Sequence, residues 1–453
     1  MTGWRPLAAV AVVALAVRAL AVWWLGPGPF GPDGAGAAAA VALGGHPYPV
    51  HPLLIGITGG PRALSVLGGT LAAVAVAGMA RALGGSPWAG LVAATAPLLV
   101  HASALAGGDA AATGLAALGV ALAWRRWPLL GGALAGLALA VKPIAAPLWA
   151  GLVWASWTEG APRFASGRAL GAAVVATLPF PGLWDPLVRP RPGGGLLGSW
   201  WRSTGGAPPA PETVVDMLQG GLGALADLPL WTGLHLLALA ALFSRRWGLL
   251  ALALAAVAGP ALLLGEQLRP RYLGPASVLL VTLAGLGRGA PALAGLLLWP
   301  AFAFISQLGA LRAQEEQLPA RPTLPWPDGI AVTSAYLDAG VCGATSLRAL
   351  AGTLAEQVPD GGTVWVVRLR DGREGELTWP LQAARPDLRV EVLDGGRCAD
   401  VGCVARIRQA GGPVVYPSEP AGCATPVIDP GEQALAQALT RAFGGGARYA
   451  LWP

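Results

Sequence analysis

From Leu7 to Leu308 the chain is a succession of apolar runs, and most of its charges stand in the short connections between them. Few sequence features restrict a fold more tightly. Backbone amides in apolar surroundings must bond to one another, and a run of about 20 apolar residues does so as a helix. Apolar residue types make up 54% of the 453 residues and charged ones only 12%, against roughly 25% charged in soluble domains. A soluble chain of this length has no interior large enough for that surface. The composition predicts a polytopic α-helical membrane protein.

The candidate spans are Leu7–Leu25, Ala63–Ala80, Trp88–Leu105, Ala110–Trp124, Leu129–Val141, Ile144–Trp157, Ala169–Leu183, Leu230–Phe243, Trp247–Leu264, Tyr272–Leu286 and Pro291–Leu308. That is about eleven transmembrane helices, several of them shorter than ~20 residues. Arg18 interrupts the first run, and no small-residue cleavage site precedes Pro27, so the run reads as an uncleaved span rather than a signal peptide. Arg18 itself is costly inside a bilayer unless it reaches the surface or finds a partner.

The arginines give the orientation. With the amino terminus cytoplasmic, one set of connections holds Arg5, Arg81, Arg125 with Arg126, Arg163 with Arg168, Arg245 with Arg246, and Arg288. Short basic connections face the cytoplasm. This puts Asp33, Asp109, Lys142 and the 266–272 segment outside, with the carboxyl terminus. The net charge of +6 is thereby a matter of topology and implies no nucleic-acid partner. Two outer loops are long, that around Asp33 and Trp184–Pro229, the second with an interfacial Trp200–Trp201 pair.

After Leu308 charges appear and apolar runs shorten. We divide the chain into a membrane domain, 1–310, and an extracytoplasmic α/β domain, 311–453. Strands are expected at 329–334, Thr363–Leu369, Arg389–Gly395 and Cys403–Gln409, and helices at Thr345–Val358, Leu377–Ala384 and Gly431–Phe443. All four cysteines, Cys342, Cys398, Cys403 and Cys423, lie here. Outside the cytoplasm they suggest two disulfides in one of three pairings; a metal site is the alternative, without a CxxC or nearby His to support it.

Chemistry is expected at the outer rim, where polar residues gather. Phe30–Leu54 carries Asp33, His46, Tyr48 and His51. Asp33 suits a general base toward a hydroxyl, and equally a turn acid in GPDG. Asp109 opens a span, where a carboxylate also favours the helix N-terminus. Lys142 is the only lysine in an arginine-rich chain and stands at an outer helix end. Arg269 and Arg271 are basic on the outer side, against the topological trend, and paired guanidinium donors fit phosphate. Snorkelling to lipid headgroups is the alternative for each cation. The spacing of His46, Tyr48 and His51 matches no standard metal set, so these are candidates for a cavity wall; no cofactor is expected, a divalent cation held by Asp33 being the alternative that no motif supports.

Five segments in order resemble the GT-C superfamily of integral-membrane glycosyltransferases, nearest to bacterial enzymes of the protein O-mannosyltransferase and aminoarabinose-transferase type. They are the stretch from Arg18 to Leu54, Pro61–Gly85, Ala96–Arg126, Leu129–Pro143 and Arg269–Leu280. The resemblance implies a polyprenyl-phosphate-linked sugar donor, an extracytoplasmic acceptor and an inverting transfer. It puts Asp33 in the place of the catalytic acid. Lys142, Arg269, Arg271 and Tyr272 become donor-phosphate or headgroup candidates, with Asp109, His46, Tyr48 and His51 as further substrate contacts. Many relatives have Asp-Glu in the first loop, where this chain has Asp33-Gly34. The resemblance does not cover 311–453. A transporter or flippase of a lipid-linked sugar, and a non-catalytic anchor for the outer domain, are the competing expectations. A transporter would show internal repeats and mid-membrane polar groups, and neither is evident in the sequence.

Overall fold

A computed structural model of the chain describes residues 5–25, 50–58, 60–104, 108–154, 163–180, 219, 223, 230–264, 272–315, 358–367, 387–393, 401–410, 412–417, 430–443 and 449–452. The chain divides into two compact units: Met1–Trp24 with Pro47–Ile305 in one, and Leu25–His46 with Ser306–Pro453 in the other.

In the first unit the apolar runs are helices: α1 (Arg5–Leu25), α2 (Val50–Thr58), α3 (Pro61–Ala82), α4 (Ala89–Thr95), α5 (Pro97–Ala104), α6 (Gly108–Trp124), α7 (Pro128–Val141), α8 (Trp149–Trp154), α9 (Arg163–Thr177), α10 (Leu234–Leu242), α11 (Trp247–Leu264), α12 (Leu273–Ala284) and α13 (Ala290–Glu315), the last belonging to this unit as far as Ile305. Large apolar side chains such as Val12, Leu130, Val175, Leu239 and Leu296 point outward and are exposed. Water does not tolerate that much continuous apolar exterior; lipid does. Among the described residues, α1 and α3 are long and apolar enough to cross a membrane by length and composition, and the further apolar helices are shorter.

Packing relies on backbone approach rather than large side chains. A Cβ at Gly68 would lie 2.6 Å from the Ala110 carbonyl, which binds α3 to α6. One at Gly119 would meet the Gly131 oxygen at 2.5 Å, which binds α6 to α7. Without a hydrophobic drive between helices in lipid, close backbone contact of this kind supplies the attraction. α6 thereby stands between α3 and α7.

Three expected spans are broken. Trp88–Leu105 is two helices, because Pro97 has no N–H to give the Ala93 carbonyl and Ala96 turns extended (ψ 121°). Ile144–Trp157 opens as a 3₁₀ turn, Pro143–Leu148, under Pro143 and Pro147 before α8 begins. Leu230–Phe243 likewise opens as a 3₁₀ turn, Leu230–Thr232, and Gly233 (φ 69°) separates it from α10. The Ala169–Leu183 span lies earlier than expected, at Arg163–Thr177, and ends in a turn containing Pro179.

The Pro97 break is closed by Arg18. Fully buried, its guanidinium donates to the carbonyls of Ala93 (3.2 Å) and Ala94 (3.1 Å), which the break has freed. It also donates to Ala14 O at 3.2 Å and, through Nε, to Ser103 Oγ at 3.1 Å. Ser103 in turn donates to Leu99 O at 2.6 Å. Gly69 leaves the room: a Cβ there would overlap both Ser103 Oγ and Arg18 Nε.

The second unit contains a four-stranded sheet of order β2-β1-β3-β4, from β1 (Thr363–Val367), β2 (Arg389–Leu393), β3 (Val414–Pro417) and β4 (Tyr449–Trp452). β1 pairs in parallel with β2 and β3, and β4 closes the edge antiparallel to β3. Helices α14 (Val401–Gln409) and α15 (Pro430–Phe443) accompany it. Ile407 and Leu439 reach the sheet core of Val367, Leu393, Val414 and Tyr416, with Val404 packed against it. The strand expected at Cys403–Gln409 is therefore helical. Val404 and Ile407 are three apart and share a helix face, whereas the Arg406–Ile407–Arg408 alternation imitated a strand. β3 and β4 were not foreseen. The elements expected at 329–334 and Leu377–Ala384, all of Thr345–Val358 but Val358 itself, and Cys342, Cys398 and Cys423 lie outside the described residues; Cys403 is in α14, and no disulfide is seen among the described residues.

Two measurements check this account. Gly69→Ala is expected to lower unfolding stability by roughly 1–3 kcal/mol through overpacking, and by less in a Ser103→Ala background, where the overlapping hydroxyl is gone; equal losses in both backgrounds contradict it. Burial raises the Tyr416 hydroxyl above its usual pKa of 10.0. A raised phenol favours the neutral folded form, so stability is full below pH ~10 and falls as pH climbs through the folded value. Tyr416→Phe is expected to remove that part of the alkaline slope in pH-dependent denaturation.

Candidate active site at one end of the bundle

α6 and α7 run antiparallel, with Gly119 against Gly131 next to the Arg125–Arg126 turn that joins them. Asp109 lies in the first turn of α6, at the end opposite Arg125 and Arg126. At 1.5 Å per residue it stands about 22 Å from Trp124. Lys142 lies just past α7, which begins at Pro128 beside the same arginines. Both residues are thus carried to one end by antiparallel neighbours.

There they meet. Lys142 Nζ lies 3.0 Å from Asp109 Oδ1, with the side chains 13% and 7% exposed. It is an ion pair by distance rather than an aligned hydrogen bond. The local cause is Pro143. A residue before proline is driven out of the helical region, and Lys142 is extended (φ −164°, ψ 129°) while its N–H still closes α7 on Ala138 O at 3.0 Å. The extension turns the lysine off the α7 axis. On the other side, the first turn of α6 favours the carboxylate electrostatically.

His51, in α2, is 2% exposed. Its ring packs on the neighbouring Gly108: a Cβ there would lie 3.4 Å from ring atoms Cε1 and Nε2. His51, Asp109 and Lys142 therefore form one cluster. Tyr272 stands at the head of α12, whose other end abuts Ala89 through Gly285, so it belongs to the same end of the unit. Asp33, His46, Tyr48, Arg269 and Arg271 lie outside the described residues.

Two basic or titratable side chains were missed. Arg62 opens α3 at this end, with Nε and Nη2 buried. The signal was available: it is an arginine on the side away from the basic connections, the same argument that singled out Arg269 and Arg271. His101, 2% exposed in α5, had no signal beyond being a histidine in an apolar run. Among the described residues no group of three His, Cys, Asp or Glu side chains has the makings of a metal site.

No family model and no curated protein sequence matches the chain. Two solved structures are similar to it. One is the crystal structure of ArnT from Cupriavidus metallidurans bound to undecaprenyl phosphate, with 16% identity over 92% of this chain and 93% of that one, at a TM-score of 0.46. The other is the same protein in the apo state, with 16% identity over 89% and 92%, at 0.47.

The ion pair yields a double-mutant test. Asp109→Leu or Lys142→Met alone strands a nearly buried charge and is expected to cost on the order of 3–5 kcal/mol. The double variant is expected to recover most of the loss in thermal or denaturant unfolding. Strict additivity would mean the two groups do not interact in the folded protein.

Proposed function

We propose that the protein is a membrane glycosyltransferase that moves a sugar from a polyprenyl-phosphate donor to an extracytoplasmic acceptor hydroxyl with inversion. The observation that carries the reading is the Asp109–Lys142 pair, held at the end of a lipid-clad helical unit away from its arginine turns. An ammonium and a carboxylate kept nearly out of water at a membrane rim are expensive, and such residues are retained for a task. The ordered motifs from Arg18 to Leu280 add to it, because their order matches that of a family using this donor.

The acceptor oxygen attacks the anomeric carbon and its proton passes to the Asp33 carboxylate. The bond from the anomeric carbon to the phosphate oxygen breaks, and polyprenyl phosphate leaves with the electron pair. Lys142, with Arg269, Arg271 and Arg62, offsets the charge that develops on that phosphate. Tyr272, His46, Tyr48 and His51 are assigned to the walls of the sugar and headgroup site. Asp109 orients Lys142 until the donor's phosphate competes for it. On this reading the amino terminus is cytoplasmic, in a bacterial plasma membrane, and residues 311–453 form a domain outside.

The test is transfer of labelled sugar from a polyprenyl-phosphate donor in proteoliposomes. Asp33→Asn is expected to reduce the rate by about 10²–10⁴, with donor binding retained. Lys142→Gln is expected to weaken donor binding. Undiminished transfer by Asp33→Asn overturns the assignment; tight donor binding with no transfer by the wild-type protein favours a flippase or an anchor.

A further inference from the structure

The end of the first unit opposite Asp109 carries a feature that the transfer chemistry does not use. The hexapeptide pattern Arg-Arg-Trp-x-Leu-Leu occurs twice, at Arg125–Leu130 and Arg245–Leu250. Each copy is the turn into a helix, α7 or α11. Each holds one arginine in the left-handed region, Arg126 at φ 75° and Arg245 at φ 56°, and these are the only non-glycine residues with positive φ among the described residues. For a long side chain this backbone is strained, and such strain persists where the surroundings or a function require it. Glycine, abundant elsewhere in this chain, would hold both turns without strain.

The two turns share one face. Trp154 packs on Trp124 at 5.1 Å between ring centroids, and a Cβ on Gly248 would lie 3.8 Å from Trp154 Nε1. Two more connections join them. Arg246 Nη2 donates to Leu83 O at 3.0 Å, beside Arg81, and a Cβ on Gly85 would touch Leu286, next to Arg288. Arg125, Arg126, Arg245 and Arg246 are all exposed, as are Trp127 (62%) and Trp247 (63%). A cluster of guanidinium groups rimmed by exposed indoles matches the headgroup layer of an anionic leaflet: phosphates meet the arginines and the indoles lie at the apolar boundary.

We propose that this face is a docking surface for anionic phospholipid headgroups, with the two Arg-Arg-Trp turns as its phosphate-binding elements. The occupant is the acidic leaflet itself. The inference rests on the membrane reading and not on sugar transfer. Charge complementarity selects phosphodiester headgroups with net negative charge over zwitterionic ones.

The full-length protein, purified in a neutral detergent, is titrated with phosphatidylglycerol or with phosphatidylcholine of the same acyl chains. Bound lipid is counted by native mass spectrometry, and unfolding is followed by tryptophan fluorescence. The wild type is expected to retain phosphatidylglycerol selectively and to gain several degrees of stability from it. The test variant is Arg126→Gly with Arg245→Gly, which relieves both backbones. Its lipid-free unfolding midpoint is expected to stay or rise, while its affinity for phosphatidylglycerol falls roughly thirtyfold. Equal binding of the two lipids by the wild type overturns the proposal and leaves the face to another acidic partner. Undiminished phosphatidylglycerol preference in the double glycine variant overturns it as well.

Discussion

Much of the first unit depends on one buried guanidinium. Arg18 stands on α1 and closes two carbonyls that Pro97 opened between α4 and α5, while its Nε holds Ser103 beyond the break. In lipid an open carbonyl has no water to turn to, so a proline break inside the bundle needs a donor from another helix. The same contact removes the cost of placing an arginine there. Two costly features cancel each other, and three helices are joined in doing so. One of the helices joined this way, α5, precedes Asp109 in the chain.

Polarity divides the unit along its length. One end collects exposed arginines on tight turns, and the other holds Asp109, Lys142, His51 and Arg62 in nearly dry surroundings. Small residues make this possible. With glycines at the α3–α6 and α6–α7 contacts the backbones touch, and the antiparallel neighbours bring Lys142 against Asp109 at their far ends. Larger residues at those contacts would separate the helices and the two charges with them.

The helices of this unit were largely legible, because apolar periodicity and length are local properties of the chain. Their interruptions were not, although each has a proline or glycine in plain view at Pro97, Pro143 or Gly233. In a chain so rich in both residues, no single one stands out. The strand expected at Cys403–Gln409 failed for a related reason. Seven residues satisfy a two-residue and a three-residue period at once, and only the sheet beside them decides which face is buried. Of the site, Asp109, Lys142 and His51 were singled out as residue types in unusual places; their meeting was not foreseen, and Arg62 was passed over.

By itself the sequence determined that the chain builds apolar helices with arginines gathered in one set of connections, since that follows from the cost of unbonded amides and charges in an apolar medium. It also marked the few polar residues that such a medium makes expensive. Tertiary structure alone decided how each expense is met: Arg18 by carbonyls and a serine up to 85 positions away, Lys142 by Asp109 from the neighbouring helix. Those choices depend on which backbones can touch, and that is a property of packed glycine faces rather than of any single stretch of chain.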